Sequence, residues 1–263
     1  MPAAMAYLQL CVLFPAPAYL QSFVNKLMLE MTIAILVAYA VLFFISVFLD
    51  PKKKAIQSDK KYSIYQMLLF STIKMLIAVA IVITVALSIR VSLIKVVGLS
   101  GSSLNWQTLA QGLIAASGFI IIYIVWQLLS KRFSSKPTET DSTEKSMIAL
   151  LPKCWLPLIG TFAIISFEAG LLEEIFFRGI LQSHILNYVA PLWAVIIAGL
   201  FFGFAHFYQG ASGVIGTSIL GIWLGATFVI TGNIAVPIIG HFLGDFTCMM
   251  LSGKQIIQRS KNR

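Results

Sequence analysis

Seven ionisable side chains stand at helical spacings inside the apolar C-terminal half of this chain. Glu168, Glu173, Glu174 and Arg178 fall in EAGLLEEIFFRGIL, His206 in FFGFAHF, and His241 and Asp245 bracket HFLGD. Hydrocarbon offers no water to satisfy a carboxylate or an imidazole, so each such residue in an apolar segment is a functional-site hypothesis. The chemistry these types suit is acid–base: a buried glutamate is a good general base near neutrality.

Helical geometry divides the set. Glu174 and Arg178 are i and i+4 with the acid N-terminal to the base, the favourable order, so Arg178 can neutralise Glu174 and the two read as a self-contained pair. Glu173 is rotated by about 100° from Glu174 and does not share that arginine. It must take its partners from other helices or take up a proton. Glu168 points away from both and reads as incidental. Phe202 and His206 are i and i+4, as are His241 and Asp245, and a bundle lets such residues from facing helices converge on one point. The competing reading is a polar cluster that only glues helices together.

Other polar residues read as structural. His184 has no i or i+4 partner and is placed at an interface; Lys74 reads as a lysine snorkelling from a span end. Cys11, Cys154 and Cys248 form no CxxC pair and are read as small apolar residues. Gly199 and Gly203, Gly221 and Gly225, and Gly240 and Gly244 are each four apart, faces on which helices pack closely. By themselves these pairs add little about chemistry. No HExxH, Gly-rich phosphate loop or GxSxG motif is present.

The elements that must position these residues follow from composition. Of 263 residues 59% are hydrophobic and 11% charged, with a mean hydropathy of +0.90, whereas a soluble domain carries roughly a quarter charged residues. A span needs about 20 apolar residues. Such runs cover about 31–49, 64–89, 107–129, 189–207, 214–230 and 234–251, with a longer stretch at 155–183. The expected fold is all-α, a transmembrane bundle of about seven to eight spans, with residues 4–23 an undecided terminal span or surface helix interrupted by Pro15 and Pro17. At 1.5 Å per residue the 155–183 stretch would make roughly 40 Å of helix, so it must tilt, bend or leave the membrane.

A formal charge of +9 does not point to nucleic acid, because the basic residues occupy connectors. They crowd 52–61, 131–145 and 254–263, and the positive-inside rule puts all three on the cytoplasmic side. The predicted organisation is N-terminal spans over 1–130, a polar cytoplasmic connector over 131–147, a four-span core over 148–253, and a basic cytoplasmic tail over 254–263. The expected location is multi-pass, in the plasma membrane of a bacterium, with the C-terminus inside.

EEIFFR, FGFAH and HFLGD, in this order on separate apolar helices, resemble the EExxxR, FxxxH and HxxxN/D motifs of the CPBP family, the CAAX protease and bacteriocin-processing membrane proteins also called Abi. The resemblance covers about 155–251. It implies an intramembrane endopeptidase acting on a peptide or membrane protein, related to the type II CAAX prenyl proteases. By that resemblance Glu173 and His206 activate a water, Glu174 and Arg178 hold the site in shape, His241 with residue 245 stabilises the oxyanion, and Phe202 packs beside His206. This chain has Asp245 where the best-known branch has asparagine. An ionised carboxylate cannot donate to an oxyanion, so Asp245 orients His241, stays protonated, or ligates a metal. Two mechanisms follow, one metal-free and one with zinc held by His206, His241 and Asp245 or a glutamate. A non-catalytic role, such as a bacteriocin self-immunity factor or membrane partner, is the alternative; a transporter would show an inverted repeat, and none is seen.

Overall fold

The computed structural model describes residues 18–44, 64–88, 104–133 and 154–261. Among them lie seven helices and no strand: α1 (Ala18–Phe44), α2 (Ile64–Ser88), α3 (Trp106–Phe133), α4 (Trp155–Ile185), α5 (Pro191–Ala205), α6 (Gly210–Thr231) and α7 (Ala235–Lys261). Trp106–Ser130, Trp155–Ile185 and Gly210–Thr231 are each long and apolar enough to cross a membrane. The outward side of α3 fits that medium, since Leu113, Ile114, Ile121, Ile124, Val125 and Leu128 are all exposed on it. A helix apolar on every face belongs in hydrocarbon or in a core.

Each apolar run of the sequence became a helix, with shifted ends. The first starts at Ala18 rather than near residue 31, so residues 18–23 open α1 instead of closing a separate segment. Lys26 and Glu30 sit i and i+4 on it with 4.0 Å between their charges. Residues 4–17, the lysines at 52–61 and the connector from 134 to 147 lie outside the described residues, as does the side chain of Lys74. Helix α7 runs on to Lys261, past the boundary expected at 253.

The turns are fixed by local chemistry. Pro191 stands at the start of α5, where its missing N–H costs nothing. Gly232, at φ 63°, closes α6 in the left-handed region and donates its N–H to Phe228 O at 2.8 Å. Asn233 then does two things: its Oδ1 accepts from Ala235 N at 3.0 Å, capping α7, and its Nδ2 donates to Thr108 Oγ1 at 3.1 Å. Thr108 N in turn donates to Asn105 Oδ1 at 2.9 Å, at the start of α3. The heads of α3 and α7 are thereby tied in register. Asn233→Ala is expected to cost about 1–2 kcal/mol of stability, read as a lower unfolding midpoint of the purified protein in detergent.

Three apolar clusters hold the bundle. In the largest, Met31, Ile35 and Ala38 of α1 and Met75, Ala78 and Val82 of α2 pack on Phe176, Phe177, Ile180 and Leu181 of α4 and on Phe202 and Ala205 of α5. Phe119 of α3 joins Leu220 and Leu224 of α6 and Cys248 of α7 in the second. Leu158 and Phe162 of α4 form the third with Phe246, Met249 and Met250 of α7. The glycine pairs lie at these crossings. A Cβ on Gly199 would fall 2.8 Å from the backbone N of Ile222, and one on Gly203 would run into Ser218 Oγ, so α5 and α6 touch along a seam with no room for a methyl group.

Candidate active site

The long helix α4 carries the acids and bends the rules by which its sequence was read. It is α-helical from Trp155 to Glu168, then wound as π-helix over Ala169–Glu173 and Ile175–Gln182, and ends in a single turn at Ser183–Ile185. The wider i→i+5 winding is rare and falls most often at functional sites. Through these windings α4 stays one continuous element of 31 residues. Glu168 closes the α-helical part, half-buried. Gly170, in the first π turn, lies where an added Cβ would be 2.9 Å from the backbone N of Phe242, so α4 meets α7 backbone to backbone beside His241.

Glu174 and Arg178 are both buried, at 0% and 1% exposure. Arg178 Nη1 donates to Glu174 Oε1 at 2.8 Å, as the i, i+4 spacing predicts. They are not self-contained, however. His241 Nδ1 also donates to Glu174 Oε1, at 2.7 Å, and Arg178 Nη2 donates to Gly221 O of α6 at 2.9 Å. The pair therefore joins α4, α6 and α7, because a carboxylate oxygen has lone pairs for two donors and a guanidinium has hydrogens to spare. The other ring nitrogen of His241, Nε2, faces Asp245 Oδ2 at 3.5 Å across one turn of α7.

Glu173 faces the opposite partner. Its Oε2 lies 3.9 Å from His206 Nε2, with the two side chains 16% and 14% exposed. His206 is the residue at which α5 ends, and its Nδ1 is bonded to Phe202 O at 2.9 Å. A carbonyl oxygen only accepts, so Nδ1 carries the hydrogen and Nε2 is left towards Glu173. A gap of 3.9 Å is too long for a direct hydrogen bond and suits a water bonded to both groups.

Phe202 stands between the two halves. Its ring centroid is 4.9 Å from that of His206, 5.9 Å from that of His241 and 5.0 Å from that of Phe177, and the guanidinium carbon of Arg178 lies 4.7 Å from it. Glu173, Glu174, Arg178, Phe202, His206, His241 and Asp245 are thus brought together. His184 is not among them: its Nε2 is 2.8 Å from Thr32 Oγ1 of α1, and its ring meets Tyr188 edge-on.

Two contributors carried no signal in the sequence. Phe119 of α3 stacks on His241, with ring centroids 5.6 Å apart and planes at 29°. Tyr39 of α1 donates to Phe201 O at 3.0 Å, one residue from Phe202. Both are aromatics in aromatic-rich spans, without the contrast that makes a charge conspicuous. As to zinc, no three His, Cys, Asp or Glu side chains among the described residues gather where a metal could be held. His241 Nδ1 is held by Glu174 at 2.7 Å, and the suggested donor set of His206, His241 and Asp245 does not converge on one point.

Residues 155–247 match the family model described as type II CAAX prenyl endopeptidase Rce1-like. That range takes in α4 to α6 and the polar part of α7, with all seven clustered residues, and leaves out α1, α2 and α3. No curated protein and no solved structure matches the chain.

Proposed function

We propose, from the match of residues 155–247 to the Rce1-like CAAX prenyl endopeptidase family, that this protein is an intramembrane endopeptidase whose water is activated by Glu173 and His206. The observation that carries the reading is their placement, an acid and an imidazole 3.9 Å apart on α4 and at the end of α5, inside an otherwise apolar bundle. Glu173 takes a proton from a water held between it and His206 Nε2. The hydroxide attacks the peptide carbonyl, the C–N bond breaks, and Glu173 returns its proton to the leaving amine. As the imidazolium, His241 donates from Nε2 to the charge that develops on the carbonyl oxygen, while Glu174 holds Nδ1 at 2.7 Å. Of the roles open to Asp245, the 3.5 Å approach to His241 favours orientation of that ring.

The substrate class is a membrane-associated protein or peptide, and the protein is read as a multi-pass membrane protein with its basic C-terminus in the cytoplasm. The test uses purified protein in lipid nanodiscs with an internally quenched peptide ending in a farnesylated CAAX sequence. Cleavage is expected, and it should persist after exhaustive chelation, because no metal takes part in the step written above. Loss on chelation, restored only by zinc, would overturn the metal-free route.

A further inference from the structure

We propose that Phe119 is a positioning residue for His241, so that α3, which lies outside the family-matched segment, completes the site. The proposal rests on the peptidase reading for its kinetic consequence and on geometry for the rest. Thr108, Gly112, Ala115, Ala116 and Phe119 make one buried stripe along α3 at helical spacing. The stripe lies on α7. A Cβ added to Gly240 would be 2.6 Å from Ala115 Cβ, and one added to Gly244 would be 2.5 Å from Phe119 Cδ1, so the Gly240 and Gly244 pair is the seat of these two side chains. The register on α7 is pinned by Asn233 on Thr108, and α6 holds the same stripe through Trp223 Nε1, which donates to Ala115 O at 2.8 Å.

Seated over Gly244, the Phe119 ring is buried to 3% exposure and lies stacked on His241. His241 needs that surface. Its short bond to Glu174 fixes one ring nitrogen, while the contact from Nε2 to Asp245 is 3.5 Å, too long to set the ring plane alone. Rotation about Cβ–Cγ would swing Nε2 away from Asp245, and this terminal torsion of histidine is broad. The flat face of Phe119 opposes that rotation, with Phe202 meeting the same ring edge-on. Small displacements of a catalytic group cost far more than the contact that prevents them.

The experiment compares Phe119→Leu, Phe119→Tyr and Phe162→Leu with the native protein in nanodiscs. Phe162 is the control, a phenylalanine of the same 3% exposure that packs on Phe246, Met249 and Met250. With the farnesylated quenched peptide, Phe119→Leu is expected to lower kcat on the order of tenfold with KM within twofold. Phe119→Tyr, which keeps the flat face, and Phe162→Leu should stay near native. A second readout needs no turnover. In histidine-labelled protein, which has three histidines to assign, the His241 ring protons should show an aromatic ring-current shift that Phe119→Leu removes. Native kcat in Phe119→Leu, an equal loss in Phe162→Leu, or an unmoved His241 signal would each overturn the proposal. Should no peptide be cleaved even by the native protein, the peptidase reading fails and the His241 signal alone decides the placement.

Discussion

Glu173→Gln should lower peptide hydrolysis by about a thousandfold or more while the bundle keeps its stability. The size follows from the role, since a positioned general base is worth about 10²–10⁴-fold and the amide cannot take a proton from water. The unchanged stability follows from the surroundings. Glu173 is 16% exposed and its ion-pair contact, to His206, is 3.9 Å long, so an isosteric amide loses little that held the fold together. Unfolding midpoints within about 1 kcal/mol of native are expected, the range of a substitution away from any tight network. The non-catalytic reading predicts the reverse. If the cluster only glues helices, Glu173→Gln should weaken the bundle, and a comparison of peptides released in cells should find no difference between the two chains. Unchanged turnover of the farnesylated peptide would remove the peptidase assignment.

This division between Glu173 and its neighbour was legible in the sequence only in part. The all-helical class was plain because runs of apolar residues broken by charged connectors leave little other choice. The three motifs were plain because a charge in such a run stands out. Spacing then paired Glu174 with Arg178 and His241 with Asp245, both of which the structure keeps. What spacing could not reach was contact between helices. Nothing local says that His241 closes on Glu174, or that Glu173 alone faces His206. The helical-angle argument for separating the two acids assumed 3.6 residues per turn, whereas both lie in or beside π-helical winding. Phe119 was hidden for a different reason. An aromatic residue in an aromatic-rich span gives no contrast, and its partner His241 stands far along the chain, between the glycines that make room for it.

The polar half of the site predicts the opposite behaviour from Glu173, because its members are buried and share atoms. Arg178→Met should destabilise the protein by about 3–5 kcal/mol, the cost of leaving one member of a buried ion pair without its partner. Glu174 has no access to solvent, and its Oε2 has no hydrogen-bond partner among the described residues, so the charge on Oε1 is met by Arg178 and His241 alone. Removing the guanidinium also strands Gly221 O and uncovers the face of Phe202. Methionine fills the volume without answering any of these. Adding Glu174→Gln to the same chain should restore part of the loss, since an amide has no charge to leave unpaired, and the double substitution should cost less than the sum of the two single ones. Such non-additivity is expected of residues in one network and absent between distant sites. Denaturation of the four proteins in one detergent, native, each single and the double, measures it. A single-substitution cost below about 1 kcal/mol, the level of an exposed ion pair, or strict additivity, would mean that Arg178 is not what keeps Glu174 charged in place. His241 would then carry that burden, and the same cycle run on Glu174 and His241 should show the coupling instead.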